Sequence, residues 1–305
     1  MNGVENKSIK YENYIVAFID ILGFSAKVIS SSVDHEKIIQ INKTLSKFND
    51  LRKKSTWSQN NNLMQVEEDA QKKHLGDYYI DQMARCFCFS DSIIITVKAD
   101  QCIEERASAL IAMIARLGME LLSEGTLIRG GISFGKMFVD DNRQSIKSFG
   151  PAVVEAYKLE EDQARYPRIV IGQSLIKHLT YPLEAKHNRQ PYHQYIKRFN
   201  DGMVGFTQLI FLQVMSNAPD IIRKFSFDKL LHQSKYVIID GLDQNMFDTH
   251  IFEKYQWLKE EYNQLILSDE ETKKNKKWKI QDVQKADSRG NIHFKYINDL
   301  YDCEG

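Results

Sequence analysis

The stretch "FIDILGFS", Phe18 to Ser25, ends an apolar run on a carboxylate and turns at once through a glycine. The run that leads into it, "YIVAFID" (14–20), is continuous and β-prone, the pattern of a strand covered on both faces. Asp20 therefore closes a strand. Residues Leu22, Gly23, Phe24 and Ser25 form a turn into a helix, where free backbone N–H groups suit phosphate oxygens.

Working outward, "HEKIIQINKTLSKFNDLRKK" (35–54) spaces Ile38, Ile39, Ile41, Leu45 and Phe48 as one helical face. Residues 55–78 are polar and read as a long loop. "ARCFCFSDSIIITVK" (84–98) reads as two strands joined at Ser90 and Asp91, a β-hairpin. "EERASALIAMIARLGMELLSEG" (104–125) predicts an amphipathic helix with a glycine stop. "TLIRGGISFGKMFVD" (126–140) predicts a strand whose central glycine pair marks a bulge or a close backbone approach. "GPAVVEAYKLEEDQA" (150–164) predicts a helix with Pro151 in its first turn, and "YPRIVIG" (166–172) a further strand. This order, β, helices, β-hairpin, helix, β, helix, β, implies an α+β fold: a mixed sheet with helices packed on one face. Past about residue 185 the chain turns polar. Residues 203–266 read as mostly helical, and the end is weakly patterned.

The chain has 305 residues, 43% of them hydrophobic, enough for one large core or a domain plus an extension. Lys+Arg and Asp+Glu balance at 41 each, so no net field draws it to nucleic acid or a membrane surface. The basic run "KKNKKWK" (273–279) reads as solvated surface. Cys86 and Cys88 share a strand face, no CxxC occurs, and the histidines do not pair at ligand spacing, which argues against structural zinc. A polar N-terminus and the lack of any apolar stretch of about 18 residues give the expectation of a soluble cytoplasmic protein.

Two carboxylates occupy matching places: Asp20 at a strand end and Asp91 in a hairpin turn. In a mixed sheet such positions can lie side by side. Converging there beside a turn with free amides, they would hold a divalent metal and phosphates, because Mg²⁺ takes oxygen ligands, typically one or two carboxylates plus substrate phosphates. Each aspartate taken singly also reads as an ordinary turn former.

Four segments resemble motifs of the class III nucleotidyl cyclases in family order. "FIDILGFS" is similar to the metal and triphosphate motif, "FSDSIII" to the second metal hairpin, "LIRGGISFG" to the glycine-bearing strand, and "FGPAVVEAYKLE" to the transition-state helix. The flavour is most like the pyrimidine cyclases of the bacterial Pycsar anti-phage system. The resemblance implies a ferredoxin-like cyclase domain over 11–180 with a mostly helical C-terminal extension over 181–305. It implies a homodimer with sites at the interface, two Mg²⁺ or Mn²⁺ ions per site, and conversion of CTP or UTP to a 3′,5′-cyclic monophosphate and pyrophosphate. The product would act on a separate effector, with no nucleic-acid or membrane partner.

Carried over residue by residue, the resemblance assigns metal binding to Asp20, Asp91 and the Ile21 carbonyl, and triphosphate binding to Gly23, Phe24 and Ser25. Lys158 falls where the family has its transition-state arginine; lysine neutralises charge but orients less strictly. Arg143 falls where some members place a phosphate-binding arginine. Val154 replaces the ribose-orienting asparagine, and neighbouring Glu155 is expected to face elsewhere on the helix. Phe87 and Lys147 replace the purine-reading Lys/Asp pair, which favours a pyrimidine, with CTP ahead of UTP on overall similarity alone. Phe87 also reads simply as core, Lys147 as a solvated loop residue, and Arg129 as either a phosphate ligand or a sheet-edge residue. The alternatives to a pyrimidine cyclase are an inactive nucleotide-binding regulator and a purine cyclase.

Overall fold

The computed structural model describes residues 10–57, 84–100, 102–140, 147–179, 196–216, 220–268, 278–286 and 292–296. Strand β1 (Glu12–Ile21) is followed by helices α1 (Phe24–Ser31) and α2 (His35–Trp57), then the hairpin β2 (Arg85–Phe89) and β3 (Ser92–Lys98). Helix α3 (Ile103–Leu122) leads to β4 (Ile128–Asp140), β5 (Lys147–Phe149) and α4 (Pro151–Lys158). A π-helical turn, Leu159–Gln163, continues α4 before β6 (Arg168–Ile171) and the short α5 (Gln173–Ile176).

The first four strands lie in the order β2-β3-β1-β4, each antiparallel to its neighbour. With a helical crossover between β1 and β2 and another between β3 and β4, this is the ferredoxin-like split βαβ arrangement. The sheet becomes mixed where β6 joins β4 in parallel. It then continues through β8 (Val204–Thr207) and β7 (Lys197–Arg198), so it runs on past residue 180. Val204–Thr207 thus corrects the helical reading of 203–266. A four-residue segment carries too little period-2 signal, and it becomes a strand because β6 leaves an open edge beside it.

Alternation along β1 divides its residues between two faces. Ile15, Ala17, Ile19 and Ile21 join α3 residues such as Leu110, Ile111 and Ile114 in the main core. Tyr14 and Val16, with Phe18 packed alongside, meet Ala152 and Ala156 of α4 on the other face. Helices therefore cover both faces, not one as expected. The extra cover comes from α4, whose small Ala152/Ala156 stripe lets it lie close to the sheet. Gly131 completes that approach: a Cβ there would stand 2.3 Å from the Ala156 carbonyl. The glycine pair of β4 is thus a close backbone approach, as the sequence suggested. Ile38 and Ile39 of α2 are exposed, while Phe48 is buried, so the apolar stripe of that helix is used only toward its C-terminal half.

The C-terminal region is mostly helical: α6 (Ile210–Ser216), α7 (Asp220–Gln244) and α8 (Thr249–Ser268), followed by a hairpin of β9 (Asp282–Ala286) and β10 (Ile292–Tyr296). Its apolar cluster, including Leu231, Leu258 and Tyr262, takes in Leu22, Met119, Leu122 and Leu127 from the first half of the chain. The turn after β1 is therefore seated on the C-terminal helices. Among the described residues no helix is long and apolar enough to cross a membrane. Of the basic run at 273–279, residues 273–277 lie outside the described residues and Trp278 is buried.

Candidate active site

Asp20 is the last residue of β1 on the face that α4 covers, and its cross-strand partners are Ser92 on β3 and Arg129 on β4. Ser92 donates its hydroxyl to Asp20 Oδ1 at 3.0 Å, and Arg129 Nε lies 3.5 Å from Asp20 Oδ2. Asp91 occupies the β2–β3 turn next to Ser90, which adopts a left-handed backbone (φ 47°). The Ile21 amide donates to the Asp91 carbonyl at 3.2 Å, which ties the hairpin tip to the end of β1. The two aspartates expected to converge are thus brought together. Burial pushes the Asp20 carboxyl above its usual value; Ser92 and Arg129 oppose this, and the Asp91 charge adds to it.

The turn has the expected form. Gly23 is left-handed (φ 72°, ψ 17°) and caps α1 without any side-chain hydrogen bond. Only glycine adopts this conformation at little cost, and the uncapped first turn leaves backbone N–H groups for a ligand. Phe24 packs partly against the core, and Ser25 is exposed at the helix start.

Glu160 was not singled out from the sequence. It lies in the π-helical turn with its side chain 4% exposed, and its Oε1 is 2.7 Å from Arg129 Nε. Burial raises its carboxyl to about 7; Arg129 opposes the shift, and Asp20 and Asp91 add to it. A signal was present: Glu160 continues the Ala152/Ala156 stripe at four-residue spacing, which sets a carboxylate on an apolar helix face. Arg129 is thus more than a plain sheet-edge residue. It is shared between two carboxylates.

Lys158 is exposed, at a helix position opposite the buried Ala152/Ala156 stripe, and among the described residues it forms no ion pair. With Pro151, Val154, Glu155 and Tyr11 it lines an open groove of about 740 Å³. Val154 and Glu155 share this groove, which corrects the expectation that Glu155 faces elsewhere: a wide groove takes two neighbouring positions of a helix. Ser174 donates to Glu155 Oε1 at 2.7 Å and fixes the carboxylate there. Beside the groove stand exposed Phe149, Val154 and Tyr157.

Phe87 is 7% exposed and packs with Tyr14, Val16 and Ile94, in the bland core position. The Lys147 backbone pairs with Asp140 across β4 and β5. Arg143 lies outside the described residues. Among the described residues no three His, Cys, Asp or Glu side chains group as metal ligands.

No protein-family model and no curated protein matches the sequence. Among solved structures the chain is similar to the guanylyl cyclase Cya2, at 16% identity over 65% of this chain and 92% of that one, with a TM-score of 0.37. It is also similar to a bacterial light-regulated adenylyl cyclase, at 14% identity over 72% and 58% of the two chains and a TM-score of 0.36. A third is a class III adenylyl cyclase-like ATP-binding protein from Pseudomonas aeruginosa, at 14% identity over 58% and 38%, with a TM-score of 0.36. Likeness at this level adds no weight to the strand order or to the site geometry.

Proposed function

We propose that this chain is a nucleotide cyclase that converts CTP or UTP to the 3′,5′-cyclic monophosphate and pyrophosphate, a second messenger in anti-phage defence. The observation that carries the reading is the meeting of Asp20 and Asp91 beside the uncapped Gly23 turn. Two neighbouring carboxylates, Asp20 raised by burial and by the Asp91 charge and partly offset by Ser92 and Arg129, fit a divalent cation that shares its shell with substrate phosphates. A cation held by Asp20, Asp91 and the Ile21 carbonyl would lower the pKa of the ribose 3′-hydroxyl and neutralise phosphate charge. Two such Mg²⁺ or Mn²⁺ ions per site are expected.

The protein's own part is positioning. The Gly23 turn directs amides at the triphosphate, Ser92 and Arg129 fix Asp20, and the 3′-oxygen attacks the α-phosphorus in line as pyrophosphate leaves. Lys158 stabilises the developing charge from the opposite subunit. Its exposure at the open groove supports this, because it leaves the amine accessible to a second subunit. The exposed Phe149, Val154 and Tyr157 around it suit a two-fold, self-complementary contact. The catalytic unit is taken as 11–180, and 181–305 as an extension that supports the turn. A pyrimidine is preferred because Phe87 supplies no polar group to read a purine.

The test is incubation of the purified chain with each of the four triphosphates and Mn²⁺, with products separated and identified. Cyclic CMP or cyclic UMP with stoichiometric pyrophosphate is expected. ATP or GTP as the best substrate by kcat/KM refutes the pyrimidine assignment. Nucleotide binding without any cyclic product refutes the enzyme and leaves a regulator.

A further inference from the structure

Helix α8 crosses the end of the sheet that carries the site, and its contacts trace its course. Trp257 stacks on Tyr166 with ring centroids 5.1 Å apart and planes at 10°, and stands 6.0 Å from the Arg168 guanidinium. One turn further on, Glu261 pairs with Lys197 of β7. Leu258 is buried in one apolar cluster with Leu22 of the Gly23 turn. Positions 254, 257, 258 and 261 recur as one helical face. On the sheet, Arg129 and Arg168 each immediately precede a residue of the Gly130–Ile169 pair, so they stand at the same level on neighbouring strands. One turn back along α8 from Trp257, at Arg168, comes Lys254, at Arg129.

Lys254 is half-buried there, and among the described residues it forms no ion pair. Its amine is pushed below the usual lysine value, first by burial and then by the positive charge of Arg129, with Asp248 opposing. Two cations are thus held near one another at the mouth of the site. Arg129 is offset by Asp20 and Glu160, whereas Lys254 has no acid paired with it among the described residues, so a partly desolvated amine stands there for an anion to join.

We propose that Lys254 is a polyphosphate-binding residue contributed by the C-terminal extension. With Arg129 and the Gly23 turn it grips the terminal phosphates of the bound triphosphate and the departing pyrophosphate. This rests on the cyclase reading for its substrate, but the chemistry it names is an anion with several acceptor oxygens between two cations. Lysine serves as a point charge for such a group and needs no fixed geometry. It gives the extension a direct part in the site: the helix that supports the turn from below also contributes a charge beside it.

The test uses the full-length chain and two probes. Calorimetric titration with inorganic tripolyphosphate in the presence of Mn²⁺ reads the anion site alone. Steady-state cyclisation reads KM and kcat. Lys254→Met and Lys254→Gln are expected to weaken tripolyphosphate binding and raise KM about tenfold or more, with melting temperature unchanged or raised because a repulsion is removed. Lys254→Arg is expected to stay within about threefold of wild type. Wild-type tripolyphosphate affinity and KM in both neutral variants overturn the proposal, as does a wild-type chain that binds no tripolyphosphate. A wild-type chain that binds tripolyphosphate through Lys254 yet cyclises none of the four triphosphates overturns the cyclase reading and leaves the anion site standing.

Discussion

Arg129 and Arg168 sit on adjacent strands at one level of the same sheet, and both reach the same π-helical turn. Their surroundings are opposite. Arg168 is 1% exposed: its two terminal nitrogens meet both carboxylate oxygens of Asp201, one also donates to the Gln163 carbonyl at 2.9 Å, and its plane lies among Tyr166, Phe199 and Trp257. Arg129 is 28% exposed and stretches between Glu160 and Asp20 at 2.7 and 3.5 Å, with Lys254 repelling it from α8. Arg168, gripped through both terminal nitrogens and packed among three rings with only its Nε left without a partner among the described residues, locks the fold. An arginine shared by two acids and crowded by a cation is a charge arrangement that a ligand would complete.

The largest effect expected at the Arg129 end is at the aspartates. Asp20→Ala or Asp91→Ala should lower turnover at least a hundredfold while the melting temperature holds within a few degrees, since Asp20 stands at a strand end and Asp91 in a turn. Near-normal turnover in a folded variant removes the metal assignment and, with it, the meaning given to Arg129.

The site is argued to be completed across a two-fold axis, and mixing tests this. Asp20→Ala and Lys158→Ala proteins, each inactive alone, should regain part of the wild-type activity when combined, because some heterodimers carry one intact site. Subunit exchange shown by tagged pull-down with no recovered activity places Lys158 outside the reaction.

The two arginines should then separate by what each variant loses. Arg168→Ala is expected to destabilise the fold by about 2–4 kcal/mol, through a lost buried pair, lost packing against three rings and a bare Gln163 carbonyl, while turnover below the melt changes little. Arg129→Ala is expected to cost roughly tenfold or more in kcat through a misplaced Asp20, with a smaller loss of melting temperature. Equal profiles in the two variants erase the distinction between them.

The aspartates and the turn were legible because they sit where backbone geometry changes abruptly, at a strand end, a hairpin tip and a positive-φ glycine, and such places demand particular residues. Gly131 was legible as a close approach for the same reason. What stayed hidden depends on contacts between segments far apart in sequence. Glu160 is a surface-looking carboxylate until α4 is laid on β4. Lys254 belongs to a helix whose charged residues look alike until Trp257 and Glu261 fix its rotation. Val204–Thr207 becomes a strand only because β6 offers an edge, and Phe87 sits in the core because the alternation of β2 turns it toward Ile94.

The smallest expected effect is in the pH dependence of stability of the metal-free protein, where the two arginine sites pull in separate windows. Glu160 has its folded pKa raised to about 7 from an ordinary 4.5, chiefly by burial. Between those values the folded chain keeps a proton that the unfolded chain has lost. Stability is therefore fully present below pH 4.5 and declines as pH rises through 7, by at most about 1.4 kcal/mol per pH unit. Asp201 is shifted the other way: the hydrogen bond from Arg168 holds its carboxyl below the ordinary 3.8. Its contribution is present above that value and is lost as pH falls through the lowered one, and it is modest because Asp201 is partly exposed. Thermal melts in chelator from pH 3 to pH 8 should show both limbs. Glu160→Gln should flatten the decline toward neutral pH and leave the acid limb, and Arg168→Met should do the reverse. If Glu160→Gln keeps the full decline, the proton is not held at Glu160, and Arg129 pairs with a charged carboxylate as securely as Arg168 does.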